Sequence, residues 1–399
     1  MEHVGATRAN SSDRSKPALM RELGYRPPSA AEFLRMALRH AVARSRRHFQ
    51  AKGSFMLPAA ILSADPLISY SGMVPRAPLG LASLAPPGKR DAWFLISPTW
   101  STEEPATVRM LRRHAAVHRL RHSHHRLIFL CNTPEEQRLL REQGEAAVFL
   151  NKTLSVPEAI FRPIEGVSVE FDAIYNAQLA PWKRHELTLG IERCAFICYR
   201  AETRPERQAF ETELFARHAR LAPGHVFLNA VDEGGAPVRF LPADVNRQLG
   251  RAAVGLCLSA REGAMFASTE YLLAGLPVVT TPSTGGRHIH FDPEYCLTVP
   301  PDPRSIAEAV AAMKAKEIPR GYVRERTLQR LDRDRCRFIE LINRILVASD
   351  TASRLAMPWP FRKPVIMEWL TAEAAVTRAV SGRVDAFEAL EQDGALVGG

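Results

Sequence analysis

The sequence predicts an α/β protein built from two doubly wound domains, and three observations lead there. Short apolar runs of strand length alternate with segments whose apolar residues recur at helical spacing, the pattern of parallel strands covered by helices. The alternation occurs twice, on either side of a break at residues 164–170, IEGVSVE. The charge divides at the same place. Residues 1–166 hold 24 Lys and Arg against 14 Asp and Glu, whereas residues 167–399 hold 29 of each, so the net +10 of the 399-residue chain belongs wholly to its first part. A basic half beside a neutral half points to two domains with different partners.

Taken in order, residues 1–29 are polar, with no apolar signal core, and read as a leader without a structural role. The first domain is expected over 30–166. Residues 30–51 have the pattern of a basic amphipathic helix, with Phe33, Leu34, Ala37, Leu38, Ala41 and Val42 on one stripe and Arg35, Arg39, Arg44, Arg46 and Arg47 on others. Strands are expected at 93–97, 126–131 and 146–150, with helices over 107–122 and 134–144 between them. The second domain is expected over 167–346. Its strands read at 171–176, 194–199, 225–230, 254–259 and 276–281, with helices at 203–221, 242–252, 267–274 and 303–315. A long charged helix follows over 321–346, then a tail over 347–399 with a helical pattern at 364–380.

Several classes are disfavoured. No run of about 18 uninterrupted apolar residues exists to cross a bilayer as a helix. The six cysteines form no CxxC pair and lie mostly in apolar runs, as reduced core residues of an intracellular protein do. The basic half lacks the interleaved aromatics of a nucleic-acid surface. His114, His118 and His122 share a helix face at a spacing that can hold zinc, but no acid lies between Pro105 and Pro134, and the structural reading is favoured. Arg109, Arg112, Arg113, Arg119, Arg121 and Arg126 make the same segment strongly cationic, either as a solvated face or as a surface for anionic lipid head groups or a phosphorylated acceptor.

The residues that carry chemistry lie in SAREGAMFASTEYLLAGLPVVTTPSTGG, residues 259–286. Glu262 and Gly263 fall in a strand-to-helix loop. Ala267 or Ser268 is the expected helix N-cap, which puts Glu270 in the first turn beside free backbone N–H groups. Gly263 lets the backbone approach a ligand closely. On spacing alone, two exposed glutamates that merely cap a helix are the favoured reading.

The stretch resembles the C-terminal signature of the retaining glycosyltransferases of the GT-B fold, family 4. The matching features are the serine ending a strand, the Glu262–Gly263 pair, seven residues between Glu262 and Glu270, the AGLPVV run and the Gly285–Gly286 pair. The segment FDPEYCLTVPPDPRSIAEAVAAM is also similar to the family, and the likeness extends over roughly 170–316. It implies two Rossmann-like domains facing a central cleft and transfer of a sugar from a nucleotide diphosphate sugar with retention, without a metal. Glu270 would hold the ribose, Glu262 the sugar near its anomeric carbon, and the backbone of Gly263, Ala264, Met265 and Phe266 the sugar and diphosphate. FDAIYNAQLAPWKRHEL resembles the family's diphosphate-binding segment, with Lys183 at the lysine position and the helix start at His185 beside it. The family's arginine position holds Gln178, a departure that Arg184 or Arg261 could make good. From its polar N-terminus, scattered cysteines and charge partition the protein is expected to be cytoplasmic, with a peripheral contact to anionic membrane through its basic half; the acceptor is unidentified. The alternatives are a nucleotide-sugar epimerase of the same fold and a partner protein that keeps the donor site without catalysis.

Overall fold

The computed structural model describes residues 9–47, 55–85, 91–200, 205–232, 235, 237–356, 359 and 366–384. The chain forms two compact units, one of residues 1–155 with 332–399 and one of residues 156–331. Each has a six-stranded, mostly parallel sheet between helices, the α/β class that the sequence predicts. The breaks at 155/156 and 331/332 differ from the expected 166/167 and 346/347. Val156 and Phe161 already belong to the second core. The long helix also carries Val323 and Leu331 in the second core but Phe338, Ile342 and Ile345 in the first.

In chain order the first unit opens with α1 (Ala9–Glu22), α2 (Ala30–Arg47), β1 (Met56–Ala64), β2 (Leu67–Gly72), β3 (Ala92–Ser97), α3 (Pro105–Arg121), β4 (His125–Cys131), α4 (Pro134–Glu142) and β5 (Ala147–Phe149). The second unit holds β6 (Phe171–Gln178), β7 (Cys194–Tyr199), α5 (Pro205–Leu221), β8 (Val226–Phe227), α6 (Pro242–Gly250), β9 (Ala252–Cys257), α7 (Phe266–Leu273), β10 (Val278–Thr280), β11 (Cys296–Thr298) and α8 (Pro303–Ala315). Helix α9 (Arg320–Ala348), β12 (Glu368–Thr371) and α10 (Ala372–Ser381) follow.

The first sheet runs β12-β1-β2-β3-β4-β5, with β1 antiparallel to both neighbours and the remaining pairs parallel. Its order never reverses, so this unit is not doubly wound as expected. β1 and β2 form a hairpin, which needs no crossover helix. Each later crossover steps the same way, and right-handed crossovers then lay α3 and α4 on one face. There Val108, Leu111, Ala115 and Leu140 meet Phe94 and Phe129, with Ala375 and Ala379 of α10. The other face is covered by Leu19 and Met20 of α1, by Leu23 just after it, and by α9. The expected leader over 1–29 is therefore part of the core from α1 onward, and the tail supplies an edge strand. Of the expected basic helix 30–51, residues 30–47 are helical and 48–51 lie outside the described residues.

The second sheet is wholly parallel in the order β11-β10-β9-β6-β7-β8. The chain starts in the middle at β6, winds outward through β7 and β8, and returns beside β6 as β9. That reversal leaves a crevice at the carboxyl ends of β6 and β9, where open α/β sheets bind ligands. No described helix is long and apolar enough to cross a membrane.

Candidate functional site

Three segments converge at this reversal. The first leaves β6 at Gln178 and makes two tight 3₁₀ turns, Pro181–Lys183 and His185–Thr188, hinged at Arg184 in the left-handed region at φ 54°. The second is the loop from β9 to α7. The third follows β10. The second and third are joined by backbone bonds from Thr284 N–H to Ala260 O at 3.1 Å, Glu262 N–H to Thr284 O at 3.0 Å, and Gly286 N–H to Gly263 O at 2.6 Å. Gly285 makes this approach achievable. Its φ is +95°, and a Cβ there would fall 1.8 Å from the Glu262 carbonyl oxygen. The double glycine thus serves to seat one loop beneath the other.

Glu262 is buried, and its Oε1 accepts hydrogen bonds from the Lys183 ammonium and the Ser259 hydroxyl. The Lys183 and Glu262 side chains are 9% and 8% exposed. A carboxylate desolvated to this degree is tolerated because it has a charged partner and a hydroxyl donor. Residues 79 positions apart, singled out from two separate motifs, are in direct contact.

Glu270 is half-buried on the outer turn of α7, where its Oε2 accepts from Asn176 Nδ2 at 3.2 Å. Asn176 is held in turn, its backbone N–H donating to the Tyr271 hydroxyl at 2.6 Å. The Tyr271 ring lies against Gly255, where a Cβ would come within 2.5 Å of it. Burial pushes the Glu270 carboxyl up to about 7, against the opposing pull of Asn176 and Arg239. Helix α7 begins at Phe266, so Glu270 sits in the second turn and not the first. Ser268 does not cap it; its hydroxyl bonds Met265 O at 2.7 Å and Arg287 O at 2.9 Å. The helix start has no side-chain cap. Among the described residues, the N–H groups of Gly263, Ala264, Met265 and Phe266 make no hydrogen bond.

Other expected residues are placed differently. Arg184 donates to Leu258 O and to Thr281 Oγ1, the latter at 2.7 Å, and so serves the ends of β9 and β10. His185 begins a four-residue 3₁₀ turn and not an α-helix, and it is fully buried; desolvation, with His218 and Lys183 nearby, brings it down to about 3 and keeps it neutral. Arg261 is exposed on the loop. Arg287, which the sequence reading passes over, is only 2% exposed and reaches Ser259 and Thr281. An arginine directly after a double glycine was the available signal.

The cationic segment of the first unit is partly internal. Arg112 and Arg119 both grip Glu145, which is fully buried, at 2.8 and 2.5 Å, so they do not form the lipid surface considered for α3. The histidine cluster consists of His118, His122 and His125 rather than His114, His118 and His122, because the turn into β4 brings His125 over the helix end. Desolvation holds His118 at about 3 and His125 at about 4, so both imidazoles are neutral.

No protein-family model matches the chain, and no curated protein matches it. Solved structures do. HepE from Anabaena, in complex with UDP and glucose, is 16% identical with a TM-score of 0.48, covering 63% of this chain and 71% of its own. Sucrose-phosphate synthase from Thermosynechococcus elongatus is 13% identical with a TM-score of 0.48, over 64% of this chain and 68% of its own. The pneumococcal O-GlcNAc transferase GtfA, in complex with UDP and GlcNAc, is 13% identical with a TM-score of 0.43, over 63% and 53%.

Proposed function

We propose that the chain is a GT-B glycosyltransferase that moves a sugar from a nucleotide diphosphate sugar to an acceptor with retention of configuration. One observation carries the reading: Lys183, Glu262, Glu270 and four unbonded backbone N–H groups converge at the strand-order reversal of the second sheet. Such a set offers what a nucleotide diphosphate sugar presents. A single ammonium and a row of amides at a helix start suit the diphosphate. Glu270 accepts from the ribose diol, and Glu262 accepts from a sugar hydroxyl next to the anomeric carbon.

In this reading Lys183 and the loop amides stabilise charge as it builds on the departing diphosphate, so no metal is needed there. The bond from the anomeric carbon to the diphosphate oxygen breaks while the acceptor oxygen bonds the same face of that carbon. The acceptor proton passes to a leaving diphosphate oxygen, and no side-chain nucleophile is required. Leu34 and Leu38 of α2 are each 61% exposed beside the exposed Arg35 and Arg39, which supports a peripheral contact of a cytoplasmic protein with anionic membrane through that helix.

Gln178, at the end of β6 where the resemblance expects a cation, favours one second reading: a donor-binding partner that does not catalyse. A thermal-shift screen with UDP, GDP, ADP and dTDP sugars, followed by a donor-hydrolysis assay on the stabilising one, separates the two. Stabilisation with turnover supports the transferase, stabilisation without turnover supports the partner, and no stabilisation by any donor at millimolar concentration removes both.

A further inference from the structure

We infer that Arg287 is a positioning residue for Glu262, acting through Ser259; the inference rests on the transferase reading above. At the carboxyl end of a parallel sheet the last carbonyls of each strand have no ladder partner, and a buried one must find a donor. Here the guanidinium of Arg287 supplies it for two strands at once. Nη1 donates to Ser259 O at 2.6 Å and to Ser259 Oγ at 3.2 Å, and Nη2 donates to Thr281 O. Arg184 reaches the same strand ends from the other side through Leu258 O and Thr281 Oγ1. Only a planar fork of several donors can bridge two diverging strand ends in this manner.

The contact with Ser259 Oγ has a chemical consequence. A hydroxyl has one proton and two acceptor lone pairs. Because Oγ accepts from Arg287, its proton is directed to the carboxylate of Glu262, the bond the structure contains. The order is therefore guanidinium to hydroxyl to carboxylate, with the Lys183 ammonium on that same carboxylate oxygen. Oε1 of Glu262 is held by both donors, which leaves Oε2 for a ligand hydroxyl. Arg287 is 2% exposed and its guanidinium is taken up by Ser259 and Thr281, so it fixes the loop and the rotamer of Glu262 and is closed to a diphosphate.

The test compares Arg287→Gln, Arg287→Lys, Ser259→Ala and the Arg287→Gln/Ser259→Ala pair. Hydrogen exchange of the Glu262 and Gly286 amides, which bridge the two loops, reads the positioning without any turnover. In Arg287→Gln those amides should exchange at least tenfold faster, while amides of β6 and β7 hold their rates. With the preferred donor, kcat should fall at least thirtyfold and KM by less than threefold in either direction. The double variant should be no worse than Arg287→Gln alone, and Arg287→Lys should recover part of the loss. Unchanged exchange at Glu262 and Gly286, or losses that multiply in the double variant, would overturn the inference. A wild-type chain that turns over no donor would sink the transferase reading, and the exchange rates would still decide whether Arg287 holds this loop.

Discussion

The ion pair between Lys183 and Glu262 makes the proposed donor site self-occupied, and this gives a counterintuitive expectation for Glu262→Gln: it should tighten binding of the nucleoside diphosphate. The diphosphate needs the ammonium that Glu262 now holds. Binding must exchange that charge-assisted bond for a new one. Charge-assisted bonds contribute about 1.5–3 kcal/mol net, and the bond from the ammonium to a Gln amide oxygen, charged on the donor side alone, falls to the lower end of that range. The variant lowers the cost of releasing Lys183 by about 1–1.5 kcal/mol, or roughly five- to tenfold in Kd. Removing a buried negative charge beside the incoming diphosphate acts in the same direction. Turnover should fall, because the sugar loses its carboxylate contact. Calorimetry with the preferred nucleoside diphosphate measures the first effect and steady-state kinetics the second, with the unfolding temperature as control. A tenfold weakening that matches the loss in Lys183→Ala would refute the reasoning: Glu262 would then bind the nucleotide itself.

Three further outcomes follow from the same geometry. Lys183→Ala should weaken the nucleoside diphosphate about 10–150-fold relative to the free nucleoside, by the loss of one charge-assisted bond; equal losses for both ligands would assign Lys183 to the fold. Gly285→Ala should unseat the loop, since the left-handed backbone alone costs about 1–2 kcal/mol and the added carbon collides with the Glu262 carbonyl; differential scanning calorimetry should show a fall of about 2–8 °C, accompanied by loss of nucleotide binding. Glu270 titrates near 7 in the fold, so its stability contribution is full below the ordinary carboxyl value near 4.3 and is lost as pH rises through 7. In the proposed role the ribose diol donates to the charged form, so nucleotide affinity should climb between about pH 6 and 8 and level off above, and Glu270→Gln should flatten that profile.

The second unit was legible because its signals are local. Buried strands such as Cys194–Tyr199 read as continuous apolar runs, and the helix Pro303–Ala315 coincides with its pattern. The first unit was harder for physical reasons. β1 is interrupted by Pro58, which argues against a central strand, yet its neighbours here pair on both sides. β12 is four residues long and has meaning only as the partner of Met56–Ala59. The helix Ala9–Glu22 is polar and carries Pro17; what holds it is Leu19, Met20 and the following Leu23 packed on a sheet formed later in the chain, with Ser15 donating to Ala348 O and Lys16 paired with Asp91.

The site divides along the same line. Glu262, Glu270, Gly263 and Lys183 were singled out from spacing and resemblance, and a strand, a loop and a helix start bring them to one crevice. Arg287, Asn176 and Tyr271 were not, because each acts across elements: Arg287 between β9 and β10, Asn176 between β6 and α7, Tyr271 in the gap left by Gly255. A sequence reveals residues that one local pattern marks more readily than those that tie separate elements together. The departure at Gln178 bears on this. With that cation absent, Lys183 is the one ammonium in contact with the Glu262 carboxylate, while the arginines nearby, Arg184 and Arg287, are spent on strand ends. On the proposed reading, the charge of Arg184 and Arg287 is placed at the strand ends, where it sets the geometry of Glu262 and leaves the electrostatic work to Lys183 and the amides of residues 263–266.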